Sequence, residues 1–204
     1  MDPAVVYVVD DDSSVRRALA RLIRTVGLDA ETFPSAQAFL EHPPADRPAC
    51  LVLDVRLSGS SGLDLQSALG EAQQNLPIIF ITGHGDVPMS VRAMKGGALD
   101  FLQKPFNDQH LLDAIQRALT RSRAALAEGA ERRELQHRVE SLTPREREVL
   151  ALVVTGMLNK QIGAELGAAE KTIKVHRGRM MKKMQADSVA DLVRMSGKVG
   201  LRTS

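Results

Sequence analysis

The chain contains one cysteine, Cys50, in 204 residues, so no internal disulfide can form. It has no run near the roughly 20 apolar residues that span a bilayer. Its start, MDPAVVYVVDDD, has neither a basic leader region nor a small-residue cleavage site. These absences exclude a disulfide scaffold and a membrane-spanning protein, and the expectation is a cytoplasmic protein with Cys50 as a core residue. What is present, 44% hydrophobic and 25% charged residues, is ordinary for soluble globular chains, and the length suits two small domains. The net charge of only +2 hides an asymmetry. Residues 142–204 carry 12 Lys/Arg against 6 Asp/Glu, a net +6, whereas the remainder carries 15 against 19, a net −4. The basic end is the candidate for contact with nucleic acid.

Residues 1–121 alternate apolar runs with amphipathic stretches. VVYVVD (5–10), CLVLD (50–54) and PIIFIT (77–82) are short, continuous and rich in Val and Ile, as expected of strands buried on both faces. Weaker strands are predicted over 29–33 and 100–102, and helices over 14–26, 36–40, 63–69 and 87–94. The order βαβαβαβαβα implies a doubly wound parallel sheet. In such a sheet the C-terminal strand ends meet at one crevice. Asp10, Asp11, Asp54, Thr82 and Lys104 each follow an apolar run. They are therefore expected to form one acidic pocket closed by a hydroxyl and an ammonium, suited to a divalent cation and a phosphoryl group.

From Asp108 the pattern is helical to Val139. Leu111, Leu112, Ile115 and Leu119 form a stripe for the sheet, and the Ala, Arg and Glu-rich stretch that follows reads as a semi-rigid helical linker over 122–141. A weak intermolecular coil through Leu126, Leu135 and Val139 is the other reading, and Gly129 counts against an unbroken helix. Residues 142–204 hold four helical patterns, 144–155, 159–166, 170–184 and 188–196, with Thr143-Pro144 as a start signal and Gly156 and Gly167 at breaks. The short break at Gly167 is that of a helix-turn-helix.

VVDDD, LVLD, IIFITGHGD and FLQKPF, in this order over residues 1–121, resemble the receiver domain of bacterial response regulators, and GHGDVPMSVRAMKGGALDFLQKPF resembles the FixJ-type branch. The resemblance implies a flavodoxin-like (βα)5 doubly wound α/β receiver domain in which Asp54 accepts a phosphoryl group from a partner sensor histidine kinase. Asp10, Asp11, Asp54 and the backbone carbonyl of Arg56 would hold Mg²⁺, with Mn²⁺ as a substitute. Lys104 would neutralise a phosphoryl oxygen, Thr82 would hydrogen-bond another, and Phe101 would be the aromatic that turns inward on activation. Asp12 reads as a helix cap, and Lys104-Pro105 resembles a Lys-Pro step with a cis bond. One departure stands out: Leu57-Ser58-Gly59-Ser60-Ser61-Gly62 replaces the usual Met-Pro-Gly-x-x-Gly. Loss of the proline is expected to leave this loop more mobile and the metal-free site less preorganised.

LTPREREVLALVVTGMLNKQIGAELGAAEKTIKVHRGRMMKKM resembles the LuxR/NarL-type output domain, which implies a small all-α four-helix helix-turn-helix domain that binds promoter DNA. The matches include Leu142, Thr143, Glu146, Val149, Gly156, Asn159, Lys160, Ile162, Thr172, Lys174 and His176. The recognition helix would be 170–184, with Ile173, His176, Met180 and Met184 inward and Lys171, Thr172, Lys174, Val175 and Arg179 toward DNA. Lys174 suits guanine acceptors and Val175 a thymine methyl. Lys160, Arg177, Lys182 and Lys183 are expected at phosphates, and Asn159 at the cap of its helix. Ala169 stands where a capping Ser or Thr is usual and Gly178 lies inside the helix, which implies a recognition helix that is labile without DNA. The function implied is a two-component response regulator that dimerises when phosphorylated, binds DNA and controls transcription, with RNA polymerase as a further partner. Two other classes fit parts of the pattern. One is a Mg²⁺-dependent aspartyl-phosphate phosphohydrolase, although Arg56 occupies the place of its second acid; the other is a receiver-like binding module that carries no phosphoryl group.

Overall fold

The structure, a computed structural model, describes residues 4–43, 46–71, 76–83 and 87–200. His84, Gly85 and Asp86 of the GHGD motif lie outside the described residues. The chain divides into two compact units, Met1–Ala127 and Glu128–Ser204.

In the first unit, strands β1 (Val5–Val9), β2 (Asp29–Phe33), β3 (Ala49–Asp54), β6 (Ile78–Thr82) and β7 (Asp100–Gln103) form one sheet in the order β2-β1-β3-β6-β7. All its pairings are parallel. Parallel strands need long crossovers. These are supplied by α1 (Ser13–Thr25), α2 (Ala36–Leu40), α3 (Gly62–Glu71) and α4 (Val87–Lys95), and α5 (Asp108–Glu140) follows the last strand. Because successive side chains point to opposite faces, the uninterrupted apolar runs make two cores. Val6, Val8, Cys50, Val52, Ile79 and Ile81 pack with Leu19 and Ile23 of α1 and Leu111, Ile115 and Leu119 of α5. Val5, Tyr7, Val9, Leu51, Leu53 and Phe80 pack with Phe39 of α2, Leu65 and Leu69 of α3 and Ala93 of α4. Burial pushes the Cys50 thiol up to about 12, in keeping with an inert core residue.

The loop after β3 is ordered by its own pairing. β4 (Arg56–Leu57) and β5 (Ser60–Ser61) join antiparallel, with Leu57 only 7% exposed. The chain then passes so close to β3 that a Cβ on Gly62 would sit 2.3 Å from the Asp54 carbonyl oxygen, so glycine is required there. The loop that lacks the proline thus has a buried leucine and a short ladder among its contacts. At the start of α1, Asp12 accepts the Ser14 N–H at 2.7 Å, the expected cap.

α5 runs unbroken through Gly129. The second unit begins at Glu128, ahead of Leu142, because the end of α5 belongs to it: Leu135 is 3% exposed, and Val139 joins Leu142, Val149, Leu150, Ile162, Ile173 and Met180 in one helical core. These two residues are therefore covered within the chain, which removes the basis for an intermolecular coil through them. The remaining helices are α6 (Pro144–Val153), α7 (Asn159–Glu165), α8 (Glu170–Met184) and α9 (Val189–Lys198). Thr143 and Glu146 form a reciprocal capping box on α6. A Cβ on Gly163 would meet the Ala168 carbonyl at 2.6 Å, so glycine permits the tight α7–α8 turn. One expectation is corrected: the cap of α7 is Leu158, and Asn159 lies inside the helix with its Oδ1 accepting from Arg177 at 2.9 Å. The Leu158 N–H is satisfied by Gln161 instead.

Ala169 caps α8 in an extended conformation without a side-chain bond. Ala169→Ser is expected to stabilise the protein by about 1 kcal/mol, read as a melting temperature raised by a few degrees. Glu146 accepts from Lys183 Nζ at 2.6 Å and from the Thr143 N–H at 2.9 Å. The Lys183 bond is the main reason its carboxyl titrates below the ordinary 4.5. A depressed carboxylate stabilises the fold above its unfolded pKa and loses that contribution as pH falls through the folded one. Denaturant melts of Glu146→Gln should therefore differ from wild type most above about pH 4.5 and converge with it in more acidic buffer.

Candidate functional site

The C-terminal ends of β1, β3, β6 and β7 bring together side chains from all quarters of the first unit. Asp10 and Asp54, 1% and 8% exposed, follow and end two strands buried along their whole length. Lys104 follows β7, and its backbone N–H donates to the Thr82 carbonyl at 2.7 Å. That bond aims the ammonium across the sheet end, where Nζ donates to Asp10 Oδ2 at 2.8 Å and to Asp54 Oδ2 at 2.7 Å. The Lys104-Pro105 peptide is cis.

The remaining carboxylate oxygens are held by the backbone. Asp54 Oδ1 accepts the Arg56 N–H and Asp10 Oδ1 the Asp12 N–H, each at 2.9 Å. Burial makes ionisation of Asp10 costlier and raises its pKa, against the opposing pull of the Lys104 hydrogen bond. Burial alone would lower the Lys104 pKa, but the hydrogen bonds and charges of the two carboxylates outweigh it and hold the ammonium above its usual range. The result is an ammonium bridge between two carboxylates that would otherwise repel each other.

Thr82 is fully buried at the end of β6, and Phe101 is half-buried with its ring centroid 6.4 Å from that of Phe80. Asp11 does not join the bridge. Its Oδ2 accepts both the N–H and the hydroxyl of Ser58, the N–H at 3.1 Å. Among the described residues no group of three or more acidic, His or Cys side chains converges as a metal cage. The donor chemistry nonetheless fits a hard cation: two carboxylate oxygens face one point, with an exposed third carboxylate on the adjoining residue. Two participants escaped the sequence reading. Arg16, one turn into α1, donates from Nη1 to the carbonyls of Asp10 at 2.6 Å and Asp11 at 2.9 Å, fixing the acidic turn. Ser58 is the other: where the family pattern has proline, its N–H and hydroxyl are donors that the sequence does carry.

In the second unit α8 presents Lys171, Thr172, Lys174, Val175, Arg179 and Lys182 to solvent, and Lys160 is exposed on α7. Ile173, Met180 and Met184 are buried and His176 partly so. Lys171, Lys174, Val175, Gly178 and Lys182 follow the helical repeat and form one basic stripe with an apolar step at Val175, which is 48% exposed. Two cations expected at phosphates have internal partners. Lys183 is tied to Glu146 and, at 3.0 Å, to the Ser141 carbonyl, and the half-buried Arg177 is tied to Asn159. Arg145, donating to the Leu166 carbonyl at 2.7 Å, likewise braces the helix-turn-helix. No helix among the described residues is long and apolar enough to cross a membrane.

Residues 6–116 match the response regulator receiver domain family, and residues 140–196 match the luxR family of bacterial regulatory proteins. The chain is similar to Nodulation protein W of Bradyrhizobium diazoefficiens, 54% identical over 97% of this chain and 87% of that protein. It is also similar to the transcriptional regulatory protein FixJ of Rhizobium meliloti, 43% identical over 96% of each. Among solved structures, the response regulator StyR superposes with a TM-score of 0.86 at 47% identity, covering 96% of this chain and 99% of that one. Full-length FixJ from B. japonicum gives 0.58 at 40% identity, covering 97% and 98%. With a receiver domain followed by a LuxR-family DNA-binding domain, the chain belongs to the FixJ-type two-component response regulators, in which phosphorylation controls transcription.

Proposed function

We propose that Asp54 is the phosphoacceptor and that its phosphorylation drives dimerisation and DNA binding. The observation that carries this is the Lys104 ammonium held between Asp10 and Asp54 at the strand ends. Asp54 Oδ1 stays with the Arg56 N–H, whereas Oδ2 is freed when Lys104 turns to the incoming phosphoryl group, so Oδ2 is the oxygen that attacks. The phosphorus–nitrogen bond of a kinase phosphohistidine breaks, an Oδ2–phosphorus bond forms, and the imidazole leaves with the electron pair. Asp10, Asp11, Asp54 and the Arg56 carbonyl are the residues that would hold Mg²⁺ or Mn²⁺, which when bound offsets the repulsion between the attacking carboxylate and the phosphoryl oxygens. Lys104 exchanges its bond to Asp54 for one to a phosphoryl oxygen. The Thr82 hydroxyl serves a second oxygen, and Phe101 follows Thr82 inward.

The surface that receives this change is α4. Val87, Val91 and Met94 are 75%, 44% and 47% exposed and fall on one helical face, an apolar stripe suited to a second copy of the chain. Paired output units then bind two half-sites at a promoter, where RNA polymerase is the further partner. Dimerisation strengthens binding through effective concentration without altering a base contact. On α8, Lys174 and Val175 read bases, with Lys171, Thr172 and Arg179 beside them; Lys160, Arg177 and Lys182 meet phosphates, Arg177 after leaving Asn159.

Light scattering and a salt-controlled DNA-binding assay, with and without Mg²⁺ and beryllofluoride, test the switch. The mimic should give a dimer with tighter DNA binding in wild type and neither in Asp54→Asn; equal DNA binding in all states would refute control by the receiver. For the interface, on sites selected from random duplex DNA, Lys174→Ala should cost about 1–3 kcal/mol and relax the sequence preference. Lys182→Ala should weaken all sequences alike and reduce the salt slope by about one.

A further inference from the structure

We propose that Ser58 is a latch on Asp11: it holds the Asp11 carboxylate out of the acidic pocket, and a divalent cation gains its third carboxylate only by displacing it. This rests on the reading that the pocket takes Mg²⁺. Ser58 gives two hydrogen bonds to a single oxygen, Asp11 Oδ2, one from its backbone N–H at 3.1 Å and one from its hydroxyl. A proline, as in the Met-Pro-Gly pattern from which this loop departs, has neither donor. The latch is therefore a property of this sequence rather than of the pocket in general.

Both partners sit on firm supports. Ser58 directly follows β4, whose Leu57 is buried in the core, and the β4–β5 pairing returns the chain toward Asp54. On the other side, Arg16 fixes the backbone carbonyls of Asp10 and Asp11. What remains free is the Asp11 side chain, an exposed carboxylate with a choice between Ser58 and a cation. Hydrogen bonds to a charged group are among the stronger ones, and a hard cation must recover their loss before it gains a ligand. The latch thus raises the Mg²⁺ concentration at which the site fills and ties phosphorylation of Asp54 to cation supply.

The test is Mg²⁺ titration of the full-length protein by calorimetry at constant ionic strength, in wild type, Ser58→Ala, Ser58→Thr, Ser58→Pro and Asp11→Asn, with thermal melts as a check on folding. Ser58→Ala keeps the N–H and should bind Mg²⁺ about threefold more tightly, and Ser58→Pro, which loses both donors, on the order of tenfold. Ser58→Thr keeps both and should match wild type. A second readout is the rate of Asp54 phosphorylation by an acyl phosphate as Mg²⁺ is varied. The half-saturating concentration should fall in Ser58→Ala and Ser58→Pro while the maximal rate stays put, a split that general loosening of the loop would not produce. Unchanged or weaker Mg²⁺ binding in folded Ser58→Ala overturns the latch, whether or not Ser58→Pro folds. If wild type binds Mg²⁺, Asp11→Asn loses it and the Ser58 variants do not tighten, the cation site stands and the latch alone falls. Absence of binding in every variant would remove both.

Discussion

A single ammonium between two buried carboxylates is the constraint around which the first unit is arranged. Asp10 and Asp54 lie on neighbouring strands in the middle of the sheet, where their like charges would repel in a medium poorer in water than the surface. Lys104 resolves this from the far edge strand, and it can do so only because β7 pairs with β6 and β6 with β3, bringing its Nζ within 2.8 Å of both. The two apolar cores above and below the sheet fix the strand registers, and the registers fix the bridge. Packing and charge chemistry are thus the same fact seen at two levels. A bridge that needs a cation is also one that a phosphoryl group can reorganise, because the phosphoryl oxygens compete for the same ammonium.

The second unit separates its cations by task. Lys183 and Arg177 are tied to Glu146 and Asn159 and brace α8 against α6 and α7, while Arg145 ties α6 to the Leu166 carbonyl at the end of α7. Lys171, Lys174, Arg179 and Lys182 remain on the outer face. Bracing matters here because the helix lacks a side-chain cap at Ala169 and carries Gly178, each a local cost to helix formation. Tertiary contacts supply what propensity withholds, the usual source of stability for a short helix.

The loop after Asp54 shows which contacts stand where the usual pattern has a proline. Removing a fixed φ widened the conformations open to the unfolded chain, yet it also returned a backbone N–H. In the folded protein that N–H and the serine hydroxyl find Asp11, while Leu57 and the β4–β5 pair anchor the turn. The order is different in kind: a restriction internal to the backbone is replaced by a bond to a site residue, which couples the loop to whatever Asp11 does.

The doubly wound sheet was legible in the sequence because buried parallel strands must be apolar on both faces, and the runs around Val8, Val52 and Ile79 say so without a partner in view. The convergence of Asp10, Asp54, Thr82 and Lys104 followed from the same logic, since polar residues ending such runs have only one crevice to enter. The capping of α1 by Asp12 and of α6 by Thr143 was equally local, and a local signal suffices for a cap. What the linear pattern could not contain was the choice each polar side chain makes among distant partners. Whether Asp11 faces Asp54 or Ser58, whether Asn159 caps its helix or receives Arg177, and whether Leu135 and Val139 meet another chain or their own core depends on groups far away in sequence. Alternation and periodicity thus determined the elements and the crevice, because burial acts on each segment by itself. The tertiary structure alone decided the long-range hydrogen bonds made there, because Lys104 can reach Asp10 and Asp54, and Ser58 can reach Asp11, only when the fold brings these distant groups within about 3 Å of each other.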